Sequence, residues 1–259
     1  MATNSKHTDN PTIVVPGSFS TPPLYSGFID QLSTHDYETV VIELPSVGGS
    51  TPATMTDDAA HIQSVIAGLA NEGKDSILVM HSYGGIPGTE GVKGFSKNDR
   101  EASSKKGGVR ALVYVTALVV APGASLASTI EGAGNIDAVR IESDFMYLNP
   151  IINAQITFSD LPSAEAEAWA AKMPHHSTAT FGGELSYPAY RYIPSFYLYM
   201  EEDKVLPSSL QHKMVELATQ GNDLPIRTYS CNAGHFPFVS APAMVADIVK
   251  KVAEGSDTT

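Results

Sequence analysis

Short apolar runs alternate with amphipathic and polar stretches along this chain, and their order is the first guide to its fold. Thr12 to Val15 is apolar and β-branched, too short for a helix, and runs into Pro16-Gly17-Ser18-Phe19, so it reads as a buried strand ending in a glycine turn. A helix is expected from about Pro23 to Leu32. A second strand follows from Thr39 to Leu44, closed by Pro45 and Gly48-Gly49. Thr56 and Asp57 look like the start of a helix over Ala59 to Leu69, where Ile62, Val65, Ile66 and Leu69 recur at helical spacing before Gly73. Ser76 to Met80 is a third apolar strand, followed by His81-Ser82-Tyr83-Gly84-Gly85 and a helix. Arg110 to Val120 is a fourth strand, and the polar stretch Lys97 to Gly108 before it is expected as a surface loop.

From Pro122 to about Pro194 the rhythm lapses, with one short helix over Ser163 to Lys172 in otherwise irregular sequence. It returns with a strand over Ser195 to Met200, a helix over Pro207 to Ala218, a strand over Ile226 to Tyr229 and a closing helix over Pro242 to Val252. Such alternation predicts an α/β fold, a mostly parallel sheet with helices on both faces. Residues 1–121 and 195–259 then form the core, and residues 122–194 a lid inserted into it. There is no internal repeat and no low-complexity tract.

Composition narrows the function more than the fold. The chain has 259 residues and a net charge of −12, from 28 acidic against 16 basic side chains. That balance opposes nucleic-acid binding, which relies on clustered Lys and Arg to release counterions. No apolar run approaches the roughly 20 residues of a membrane span. The polar start MATNSKHTDNP resembles neither a secretory signal nor a transit peptide and reads as a frayed tail, so a cytoplasmic protein is expected. Cys231 is the only cysteine, which rules out an internal disulfide and a cysteine-based zinc set. The expected partner is a small molecule, with no nucleic acid, membrane, cofactor or metal. A homodimer is left open.

Chemistry concentrates in three places. Ester hydrolysis by a serine needs a nucleophile held clear of its backbone, a base beside it, an acid to orient the base, and N–H donors for the oxyanion. Ser82 stands where a strand gives way to a helix, in Met80-His81-Ser82-Tyr83-Gly84, a G-x-S-x-G turn whose first glycine is Met80. His235, in Asn232-Ala233-Gly234-His235-Phe236-Pro237 after the last strand, is placed to be the base. Asp203 is the candidate acid, with its neighbours Glu201 and Glu202 as alternatives. The expected oxyanion donors are the backbone N–H of Tyr83 and that of Ser18 or Phe19, after Gly17. His7, His35, His61 and His212 fall in the tail or in surface elements and receive no role. His175 and His176 are read as structural. Gly17, His81, Tyr147, Phe158, Trp169 and Phe236 are candidate substrate contacts, and Phe145 and Met146 could join them in an apolar pocket.

With these residues in place the chain resembles the α/β-hydrolase superfamily, and within it the branch of plant methyl esterases, such as salicylate methyl esterase, and hydroxynitrile lyases. The resemblance rests on VVPGSFSTPPLYSGF, SILVMHSYGG, FYLYMEEDKVLP and CNAGHFPF and covers nearly the whole chain. It implies Asp203 as the acid. Three departures stand out: Pro16 where the family usually has His, Met80 where it has Gly, and a longer Lys97 to Gly108 loop. The expected activity is hydrolysis of a carboxylic ester, of methyl ester or lactone type, of a small, largely apolar molecule through an acyl-enzyme on Ser82. Two alternatives use the same fold. One is a carbon–carbon lyase, disfavoured because Phe236 occupies the place where the lyases carry a Lys; the other is a non-hydrolytic ligand receptor.

Overall fold

The computed structural model of the chain describes residues 10–131 and 138–255. Nearly all of the polar N-terminal tail, His7 included, lies outside the described residues. In chain order the elements are β1 (Thr12–Val15), α1 (Ser26–Ser33), β2 (Thr39–Val41), α2 (Met55–Asn71), β3 (Asp75–His81), α3 (Gly85–Gly91), α4 (Lys97–Ala102) and β4 (Gly108–Val115). Next come α5 (Leu126–Thr129), β5 (Val139–Glu142), β6 (Phe145–Leu148), α6 (Pro150–Thr157), α7 (Ser163–Ala170) and β7 (His176–Ser177). The chain closes with β8 (Ser195–Met200), α8 (Ser208–Thr219), β9 (Arg227–Cys231), α9 (Pro237–Ser240) and α10 (Pro242–Glu254).

Six strands form one sheet in the order β2-β1-β3-β4-β8-β9, and each neighbouring pair is parallel. Successive side chains of a strand point to opposite faces, so each central strand feeds two cores. Ile13, Val15, Leu78, Met80, Leu112 and Tyr114 pack on one face with Ile62 and Ile66 of α2 and Met214 of α8. Val14, Ile77, Val79, Val113 and Leu198 pack on the other with Phe28 of α1 and Val245 and Val249 of α10. Because both faces are covered, the strands read as continuous apolar runs rather than alternating ones. Burying Ile62 and Ile66 fully contributes about 1.5–3 kcal/mol each. Helix α2 starts earlier than Thr56: Thr54 is its cap, accepting from Asp57 N–H, while the Asp57 carboxylate accepts from Thr54 N–H.

Two expectations need correcting. The strand predicted over Arg110 to Val120 leaves the sheet after Val115, where Thr116 takes a φ of +38°. Its apolar continuation stays buried and serves a turn instead, since Leu118 N–H donates to the Ser82 carbonyl at 3.0 Å. The Lys97 to Gly108 stretch is not merely a surface loop. Ser96 caps the short helix α4, and the buried Arg100 guanidinium donates to the carbonyls of Ala70, Lys106 and Gly107.

Between β4 and β8 the chain forms a separate antiparallel sheet, β5-β6-β7, beside α6 and α7. The sequence suggested only irregular structure and one helix here. Most of β5 is exposed, so no buried-polar alternation marks it, and the β5–β6 turn depends on Ser143 at a φ of +54°.

In the main sheet the chain passes from β1 outward to β2 and then back across to β3. This reversal puts the carboxyl ends of β1 and β3 on either side of a crevice, the place where open parallel sheets bind ligands. Gly17 follows β1 and Ser82 follows β3.

Candidate active site

Ser82 opens a single 3-10 turn between β3 and α3 and holds a φ of +51°, a strained value for a residue with a side chain. The turn closes because its neighbours are small. A Cβ on Gly84 would lie 2.4 Å from the Pro16 carbonyl oxygen, and one on Gly85 would lie 2.3 Å from that of Leu118. Gly17 allows the equivalent approach from the β1 side, since a Cβ there would fall 2.9 Å from the Ser82 Cβ.

His235 Nε2 lies 3.1 Å from Ser82 Oγ, and His235 Nδ1 lies 2.7 Å from Asp203 Oδ2. Asp203 is buried, and both its oxygens are engaged. Thr116 Oγ1 donates to Oδ2, while Val205 and Leu206 N–H donate to Oδ1 at 2.7 and 2.9 Å. Burial alone would raise this carboxyl, but the adjacent His235 and these donors outweigh it and hold the group below the ordinary carboxylate range. Geometry therefore separates the three acids. Glu201 binds the hydroxyls of Ser208 and Ser230 instead, and Glu202 is exposed. Because the acid accepts at Nδ1, the imidazole presents Nε2 to the serine, the arrangement needed to take the Oγ proton.

A cavity of about 390 Å³ opens on Ser82 and His235. Ser18 and Phe19 line it, and its other walls are largely apolar, among them Leu118, Leu126, Met146, Leu148 and Phe181. Gly17 is not a wall residue, and its N–H donates to the Tyr25 hydroxyl at 3.0 Å. Ser18 and Phe19 follow it on the cavity wall, whereas Tyr83, the residue after Ser82, is fully buried and does not line the cavity. The Tyr83 ring is anchored by its hydroxyl, which donates to Asp58 at 2.7 Å. Asp58 also accepts from the N–H and hydroxyl of Ser46, and burial raises its carboxyl above the ordinary range.

The expected substrate contacts divide. Phe236 and Met146 line the cavity, whereas Tyr147, Phe158 and Trp169 do not. Each of those three finds another partner: Tyr147 lies under the Arg140 guanidinium, Phe158 packs on Phe236, and Trp169 is covered by the Lys172 ammonium. Phe145 packs on His175 rather than on the cavity. His81 reaches the cavity wall but is 1% exposed, and both its ring nitrogens are engaged within the protein. His175 and His176 bind the Gly49 carbonyl and the Ser46 hydroxyl. Thr116, Tyr25, Asp58 and Ser46 were not expected near the site. Only Thr116 left a signal, as a polar residue within the apolar run Arg110 to Val120.

Among the described residues no helix is long and apolar enough to cross a membrane, and no group of three or more His, Cys, Asp or Glu is gathered to hold a metal ion.

The model described as "Alpha/beta hydrolase family" matches residues 13–248 of this chain. The chain is 30% identical over 244 residues to the alpha/beta hydrolase nvfD of Aspergillus novofumigatus, a match covering 93% of this chain and 95% of that protein. Its fold is similar to that of the pyrethroid hydrolase PytH, with a TM-score of 0.73 at 19% identity over 96% of this chain and 99% of that one. It is similar likewise to the methylesterase protein MES16 from Arabidopsis, with a TM-score of 0.72 at 18% identity over 95% and 99% of the two chains.

Proposed function

We propose a function on the premise that this chain belongs to the alpha/beta hydrolase family: it cleaves carboxylic esters of small, largely apolar molecules, of methyl ester or lactone type, through an acyl-enzyme on Ser82. One observation carries the reading, the unbroken line from Asp203 through His235 to Ser82 Oγ, ending at an apolar cavity. His235 takes the Ser82 proton as Oγ attacks the ester carbonyl. Asp203 holds the ring that becomes charged. The oxyanion is met by the N–H groups of Tyr83 and of Ser18 or Phe19, each such donor being worth about 3 kcal/mol in the transition state. His235 then returns the proton to the leaving alcohol and activates the water that releases the acyl group.

At about 390 Å³ the cavity suits a compact molecule. Its largely apolar walls favour burial of a hydrocarbon body, with polar side chains entering them at Ser20, Asn153, Thr157 and Lys204. A methylesterase among proteins of this fold is consistent with a small alcohol leaving group. Residues 122–194 are read as the insertion beside the cavity and the cytoplasm as the compartment. Cyanohydrin cleavage is a weaker fit, because the residue after His235 is Phe236, a buried phenyl ring packed against Phe158 and His81 that itself carries no charge to stabilise departing cyanide.

The test is a panel of esters varying acyl and alcohol groups separately, with methyl esters and lactones included, run beside Ser82→Ala. Hydrolysis abolished by that substitution, with fluorophosphonate labelling of Ser82 in the wild type, is expected. Full activity in Ser82→Ala would sink the mechanism. A folded wild type that neither labels nor hydrolyses would instead point to a ligand receptor.

A further inference from the structure

We propose that Tyr25 and His81 form a positioning relay that holds the general base and the oxyanion loop in register, a role resting on the ester-cleaving reading above. Four residues from three separate segments of the chain meet at this point. Gly17 N–H lies 3.0 Å from the Tyr25 oxygen, Tyr25 Oη lies 2.9 Å from His81 Nδ1, and His81 Nε2 lies 2.8 Å from the His235 carbonyl oxygen.

The direction of each bond follows from what the groups can do. A carbonyl only accepts, so His81 Nε2 must carry the proton that reaches His235. Burial, aided by the nearby His235, keeps a second proton off this ring and lowers its pKa to about 3. Nδ1 is then an acceptor, and the Tyr25 hydroxyl must donate to it. The hydroxyl oxygen remains free to accept from Gly17. Every member is satisfied, and the protons run one way, from the oxyanion loop to the peptide that carries the base.

Packing leaves the ring little freedom. His81 is 1% exposed and sits edge-on to Phe236 and Phe238, at 4.6 and 5.2 Å between ring centroids, while a Cβ on Gly17 would lie 3.1 Å from Nδ1. His81 also precedes Ser82 in the chain. The loops after β1, β3 and β9 are thus fastened to one another through a single imidazole, which packs beside the His235 ring at 5.1 Å between centroids and whose own hydrogen bonds go to Tyr25 and the His235 carbonyl. Misplacing a reacting group by about 1 Å can cost 10²-fold in rate.

The two nitrogens can be tested separately on the full chain. The Gln amide reaches the place of Nε2 and can still donate to the His235 carbonyl, whereas the Asn amide reaches only as far as Nδ1. Active sites in wild type, His81→Gln, His81→Asn and Tyr25→Phe are counted by fluorophosphonate titration, so loss of folded protein is removed from the rates. Turnover of p-nitrophenyl acetate per titrated site should fall about 10- to 100-fold in His81→Asn, less in Tyr25→Phe and least in His81→Gln, with KM little changed. Equal turnover per site in Asn and wild type, or an equal fall in Asn and Gln, would overturn the relay and leave His81 a packing residue. Nitrogen-15 NMR gives a readout independent of turnover. A neutral His81 protonated on Nε2 supports the relay, and a proton on Nδ1 overturns it. A wild type that fails to label would remove the ester-cleaving reading alone, leaving the hydrogen-bonded register to be decided by the NMR signature.

Discussion

The Met80 side chain occupies the space that Gly88 leaves open: a Cβ on Gly88 would lie 2.7 Å from the Met80 sulfur. The glycine normally two places before the nucleophile has been exchanged for a bulky residue, and α3 makes room at Gly88. Met80 is fully buried with Ile86 and Tyr114 in the same core. Restoring the usual motif with Met80→Gly should therefore be harmful, costing about 2–5 kcal/mol in a urea melt through the cavity it leaves. A variant as stable as the wild type would show that the core collapses onto the gap.

Asp203→Asn should lower kcat by about 10⁴-fold, because an amide can leave His235 with its proton on the wrong nitrogen. Glu202→Gln, one residue away on the exposed side, should leave the rate within about twofold, as expected of a surface substitution. Steady-state kinetics on an ester accepted by the wild type checks both. A large loss in Glu202→Gln with a mild one in Asp203→Asn would reassign the acid.

Gly84→Ala places a methyl group 2.4 Å from the Pro16 carbonyl oxygen, and backbone cannot swing away as a flexible side chain can. The Ser82 turn and the oxyanion loop should be forced apart. A stability loss of about 1–3 kcal/mol is expected, together with slower fluorophosphonate labelling per folded molecule. Normal labelling would show that the loop yields without disturbing the donors.

Acid should destabilise the protein through two histidines. Burial, with a neighbouring histidine adding to it, lowers His81 and His176 to about 3. Unfolded, each takes up a proton near pH 6.5. Between about pH 3 and 6.5 the unfolded chain then binds more protons than the folded one, so stability falls on acidification by up to about 1.4 kcal/mol per pH unit for each ring. The lowered Asp203 adds to the loss at the acid end, and the raised Asp58 opposes it. Urea midpoints should decline steadily below pH 6.5, and His176→Gln, which can still donate to Ser46, should reduce the slope. An undiminished slope in that variant would place the acid sensitivity elsewhere.

Strand order along the chain, the two-sided burial of the strands and the candidates Ser82 and His235 were legible in the sequence. Those features are written in local terms: runs of Val, Ile and Leu mark strands covered on both faces, and small residues mark the turn around a strained serine. Asp203 stood among three adjacent acids, and proximity to His235 separated it from Glu201 and Glu202. The cavity walls were a matter for tertiary structure too. Tyr147, Phe158 and Trp169 are as aromatic as residues that do line the cavity, but Tyr147 is drawn to its cross-strand neighbour Arg140, Phe158 to the distant Phe236, and Trp169 to Lys172 three positions on. Least visible was the Gly17–Tyr25–His81–His235 connection, since a hydrogen bond between residues 56 or 154 positions apart leaves no periodicity and no spacing along a chain. The sequence by itself determined the strands of the main sheet, the longer helices packed on it, and where a nucleophile could be presented. Only the packing of those segments decided which polar groups meet, because partners in a buried network are chosen by direction and distance in space.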